Sequence, residues 1–78
     1  MPWKMKYTSK KDTWGGSVKE GESFTVEQYT NGVSHRELKQ HLVKIGRQVT
    51  NYSESSGGGS LDVGEVREIN EWIIERVS

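Results

Sequence analysis

Seventy-eight residues hold one domain and not two, and a chain this short buries a small share of its surface, so its core must come from a few large side chains. Only 31% of the residues are hydrophobic and there is no cysteine, which excludes disulfides and thiolate metal sites, while two histidines alone do not make a structural zinc site. The formal net charge is zero, yet residues 1 to 50 carry nine Lys and Arg against five acids, and residues 51 to 78 carry two against six.

In chain order, Trp3, Met5 and Tyr7 alternate with Lys4, Lys6 and Thr8, the period of a half-buried strand. Ser9 to Asp12 reads as a turn. Trp14, Gly16 and Val18 would share one face of a second strand, with Gly15 and Gly16 marking a bulge or room for a neighbouring ring. Lys19-Glu20-Gly21-Glu22 has the composition of a hairpin connection. Phe24 and Val26 resume the alternation through Ser23 to Tyr29, and Thr30-Asn31-Gly32 ends it. Three short strands joined by tight turns predict an antiparallel meander.

From Val33 to Val49 the period changes. Ser34 with Glu37 has the form of a capping box, and Leu38, Leu42, Ile45 and Val49 recur at helical spacing. The other faces carry Arg36, Lys39, Lys44 and Arg47 against the single acid Glu37. Gln48 to Tyr52 reads as a brief extended exit, and residues 53–60, SESSGGGS, as a flexible linker. Asp62 with Glu65 repeats the capping-box pattern. Val63, Val66, Ile69, Ile73 and Val77 then form an apolar stripe, with Trp72 and Ile74 beside it and Glu65, Glu68, Glu71 and Glu75 outside. The expectation is a single α+β domain over residues 1–78, a three-stranded antiparallel meander followed by two amphipathic helices (β-β-β-α-α).

No apolar run approaches the roughly 18 to 20 residues that span a bilayer, and the start, MPWKMKYTSKK, lacks the apolar stretch of a secretory signal. The expected location is cytoplasmic, without a membrane partner. Asn51-Tyr52-Ser53 fits the N-glycosylation pattern, a match short enough to arise by chance.

Two functional readings compete. Nucleic acid needs cations set to neutralise successive phosphates, and Lys4, Lys6, Lys10 and Lys11 on the sheet with Arg36, Lys39, Lys44 and Arg47 on the helix are the candidate contacts, with Lys19 nearby. The run Gly32-Val33-Ser34-His35-Arg36-Glu37-Leu38 resembles the turn and recognition-helix start of helix-turn-helix proteins, over residues 24 to 42. Val33 and Leu38 take that motif's apolar positions, while Gln28 and Glu27 depart from it. The resemblance implies that Ser34, His35, Arg36 and Lys39 face bases or phosphates. In the second reading the chain is a protein-binding adaptor or inhibitor acting through an acidic C-terminal helix or exposed aromatics, with a homodimer as one way to cover more apolar surface.

Gly57-Gly58-Gly59-Ser60 ahead of a helix suggests a phosphate cradle, but Asp62 and Glu65 would set negative charge there and no lysine follows, so linker and cap is the reading adopted. His35 and His41, six apart, fall on different sides of a helix. Neither they nor the hydroxyl residues have the spacing of a nucleophile, base and orienting acid. The expectation is therefore binding, with no catalytic residue, cofactor or metal. The nucleic-acid reading requires the cations of the first half to gather on one side, away from the C-terminal glutamates.

Overall fold

A computed structural model describes residues 2–49 and 59–78. Residues 50–52 of the expected extended exit, the Asn51-Tyr52-Ser53 pattern and most of the 53–60 linker lie outside the described residues. Four strands and one helix follow in the order β1 (Trp3–Ser9), β2 (Ser23–Gln28), α1 (His35–Lys44), β3 (Val66–Ile69) and β4 (Trp72–Arg76), with a one-turn 3-10 segment at Trp14–Gly16. The strands form a single antiparallel sheet in the order β2-β1-β4-β3.

This architecture corrects the expected three-stranded meander followed by two helices at two places. The first is residues 13 to 18. Instead of a strand, the chain makes a tight turn in which Trp14, Gly15 and Gly16 all take positive φ (49°, 66° and 90°), closed by a lone bridge between Thr13 and Val18. Two consecutive glycines make that left-handed path accessible. Trp14, just before them, takes a positive φ at a steric cost, and its ring packs on Trp72 with centroids 5.9 Å apart.

The second place is the C-terminal segment, a hairpin and not a helix. The Asp62–Glu65 motif is real: the Asp62 N–H donates to Glu65 Oε1 at 2.9 Å and the Glu65 N–H donates to the Asp62 carbonyl at 2.9 Å. It closes a turn, however, because Gly64 sits at φ 85° and the chain leaves extended. Val66, Ile69, Ile73 and Ile74 are β-branched and lose rotamer freedom in a helix. Asn70, at φ 55°, supplies the reversal between β3 and β4.

Inward-facing residues of the strands build one wall of the core: Met5 and Tyr7 from β1, Phe24 and Val26 from β2, Trp72 and Ile74 from β4. Against them lie Val18, Val33, Leu38, Leu42 and Leu61. Each such aliphatic or aromatic side chain contributes about 1.5–3 kcal/mol on burial. The Tyr7 and Trp72 rings meet edge to face at 6.3 Å.

The helix starts as expected, with the Ser34 side chain accepting from the Glu37 N–H at 3.3 Å. It stops short of Val49: Gly46, at φ 89°, turns the chain, and Ile45 is left 47% exposed outside the apolar stripe. All described helical packing is on one face of the sheet, and no described element covers the other, the open face. Among the described residues no helix is long and apolar enough to cross a membrane.

Candidate functional site

The sheet register decides where the sequence-predicted cations go. Lys4 and Lys6 point to the open face, away from α1, and each stands directly across from an acid: Lys4 from Glu27 on β2, Lys6 from Glu75 on β4. Thr25 and Val66 flank the Lys6 row, and Val77 takes the place beyond Lys4. Lys10 bonds Glu68 at 2.9 Å. Lys11 is exposed and, with Lys10, Asn70 and Glu71, lines a shallow hollow of about 310 Å³ at the end of β1. The open face is thus a mixed surface in which glutamates of the C-terminal hairpin alternate with lysines.

The helical cations are on the other side of the sheet. Arg36 and Lys44 are exposed on α1, and Lys39 is half-buried there. Arg47 is bound into the structure. Its guanidinium pairs with Glu22 at 2.8 Å, donates to the Ser17 carbonyl at 2.8 Å and lies 5.4 Å from the Phe24 ring centroid, tying the helix exit to the start of β2. Strand and helix cations therefore do not merge into one patch. The helix-turn-helix resemblance lacks its first helix, since Phe24 to Gln28 is strand, and Ser34 is a buried cap.

A different arrangement appears at the β2 edge of the sheet. Because the Ser9 N–H donates to the Glu22 carbonyl, the antiparallel alternation turns the backbone groups of Phe24, Val26 and Gln28 toward β1. Those of Ser23, Thr25 and Glu27 turn outward, where no described strand pairs with them. Alongside this edge runs one side of α1: Glu37, Gln40, His41 and Lys44, at the 3, 4 and 7 residue offsets that share a helix face. Between strand and helix is a groove of about 410 Å³, lined also by Thr25, Val26, Glu27 and Tyr29.

Glu37 closes one end of that groove. Only half of the expected capping box forms. Instead of returning to the Ser34 N–H, the Glu37 carboxylate accepts from the N–H groups of Tyr29, at 2.8 Å, and Thr30, at 3.2 Å. The Tyr29 N–H continues the outward series of Ser23, Thr25 and Glu27, so α1 itself supplies an acceptor to the last donor of the edge. The Tyr29 ring, 77% exposed, stands at that end.

A buried polar network ties the end of β2 to β1 and to the start of α1. The Tyr7 hydroxyl donates to Gln28 Oε1 at 2.7 Å and accepts from the Ser34 N–H at 3.0 Å. Gln28 Nε2 donates to the carbonyls of Thr30, at 2.6 Å, and Gly32. Burial pushes the Tyr7 phenol up to about 12, only partly offset by its Ser34 and Gln28 hydrogen bonds.

No described group of three or more His, Asp or Glu is placed to hold a metal ion. What the groove offers is backbone donors and acceptors beside a row of polar side chains. Sequence reasoning missed it because edge status depends on strand order, although the 37-40-41-44 offsets were visible. No protein-family profile, curated protein or solved structure matches the chain.

Proposed function

We propose that this protein is a non-enzymatic binding module that takes an extended segment of another polypeptide as an added strand along β2, in the groove beside α1. The observation that carries this reading is the outward-turned backbone of Ser23, Thr25 and Glu27, which no described strand pairs, running next to a helix face. Strand addition draws affinity from main-chain hydrogen bonds and specificity from alternate side chains that enter the neighbouring groove. Lys44 and His41 on the helix side favour an acidic residue at a groove-facing position of the segment, and Glu27 on the strand favours a basic one at an outward position.

Two features weigh against the nucleic-acid reading. The open sheet face sets Lys4 and Lys6 directly across from glutamates, and the cations of α1 are carried apart from them, with Lys44 beside Glu27 in the β2 groove. A phosphate backbone needs a continuous row of cations.

The test is an amide-resolved NMR titration with two synthetic ten-residue peptides of alternating Thr and Val, one with Glu and one with Lys at the same three positions. The expected result is saturable shifts in Ser23–Gln28 and Gln40–Lys44 with the Glu peptide, weaker with the Lys peptide. Thr25→Pro removes one outward N–H at an edge position where proline is tolerated, and should lower affinity at least about tenfold with the fold intact. Shifts confined to other residues, or binding unchanged in Thr25→Pro, would overturn the reading. Steeply salt-dependent binding of generic duplex DNA, lost on replacing Lys4 and Lys6 with Ala, would restore the nucleic-acid alternative.

A further inference from the structure

The opposite edge of the sheet has different chemistry. The Arg76 N–H donates to the Glu65 carbonyl, so the alternation turns Arg67 and Ile69 toward β4 and directs the backbone groups of Val66 and Glu68 outward. No described strand pairs with them. Val66 is 56% exposed, and Val63 in the preceding turn is 64% exposed. Unlike β2, β3 has no described helix alongside. Proteins usually protect such an edge with charge, proline or a covering element.

Read outward from Val66, the sequence is complementary to itself. In an antiparallel pairing of two copies centred on that residue, Val66 meets Val66, Arg67 meets Glu65, and Glu68 meets Gly64. At the centre the backbone phase agrees, since the Val66 N–H and carbonyl already point away from β4, while at the margin Gly64 gives its N–H to the Arg76 carbonyl at 2.8 Å. Arg67 and Glu65 are bonded at 3.0 Å within one chain, so two copies would bring four charges together in alternating sign. No like charges are set opposite each other. A two-fold pairing centred on Arg67 instead would set Arg67 opposite Arg67 and would need backbone groups that already face β4.

We infer that two copies of this chain associate through β3, joining their sheets edge to edge about a two-fold axis at Val66 into one eight-stranded sheet. A two-fold interface of this kind uses the same patch on both copies. With only four residues in each strand, the contact falls below the roughly 1,200 Å² of stable interfaces, so the dimer is weak and forms at high concentration. This association is independent of the β2 groove, which stays open in the dimer.

Sedimentation equilibrium of the full chain, from about 10 μM to about 2 mM, tests it over the range expected of a weak interface. The mass should rise from one chain toward two. Val66→Lys adds an edge charge and Val66→Pro removes the central N–H. Each should weaken association at least about tenfold while tryptophan fluorescence stays that of the native fold. Either variant suffices if the other fails to fold. Thr25→Pro, on the far edge, should dimerise like the unmodified chain. A mass of one chain throughout, dimerisation unaffected by Val66→Lys, or dimerisation abolished by Thr25→Pro would overturn the inference.

Discussion

The Tyr7 hydroxyl is buried, donates to Gln28 and accepts from the first N–H of the helix cap, so one phenol joins the central strand to the edge strand and to the start of α1. Replacing it with Phe leaves the Ser34 N–H and the Gln28 side-chain Oε1 without the Tyr7 partner in the interior, at a cost of about 1–3 kcal/mol. A lower urea midpoint with an unchanged slope would show this. The raised phenol value also sets a pH window. In the unfolded chain Tyr7 ionises near its ordinary value of 10.0, and in the native state only near about 12. The stabilisation is therefore complete below pH 10.0 and is lost as pH rises toward about 12, a trend Tyr7→Phe should lack. Some of this was legible in the residues. Alternation put Tyr7 inside, and Ser34 was readable as a cap. Gln28 stood out only as a departure from helix-turn-helix spacing, because nothing local reveals that a glutamine will be fully buried with both ends of its amide bonded.

At the scale of elements, strands β1 and β2 and the start of α1 were readable because each has one period that no alternative matches. The C-terminal segment was not. Val63, Val66, Ile69, Ile73 and Val77 fit a helical stripe, while Trp72 and Ile74 fit a strand, and the buried pair is the strand pair. The capping-box pattern at Asp62 and Glu65 reinforced the wrong element, since the same side-chain bond closes an isolated turn. The deciding signals were Gly64 inside the supposed first helical turn and the β-branched residues after it. Asn70 is the hinge of the hairpin. An asparagine tolerates its left-handed backbone, a β-branched residue does not, and Asn70→Val should cost about 1–2 kcal/mol in thermal or urea unfolding. Asn70→Gly keeps the left-handed backbone accessible and should cost less than Asn70→Val.

For the whole molecule, the sequence-level charge asymmetry does not survive as a spatial one. The acidic C-terminal segment pairs with β1 and inserts Glu75 across from Lys6 and Glu68 beside Lys10, while the basic helix goes to the other face of the sheet. That outcome was out of reach of the sequence because it depends on β4 lying next to β1, a pairing of chain ends nearly seventy residues apart. The same strand order leaves β2 and β3 as the two edges of the described sheet, one beside a helix, where we propose that a foreign strand adds, the other self-complementary in sequence. The central claim is that the β2 edge is unpaired in the isolated protein, and residue-resolved amide hydrogen exchange tests it most directly. Thr25 and Glu27 should exchange orders of magnitude faster than their neighbours Phe24, Val26 and Gln28, whose amides face β1. Equal protection across all five amides would mean that the edge is already covered and would contradict the account.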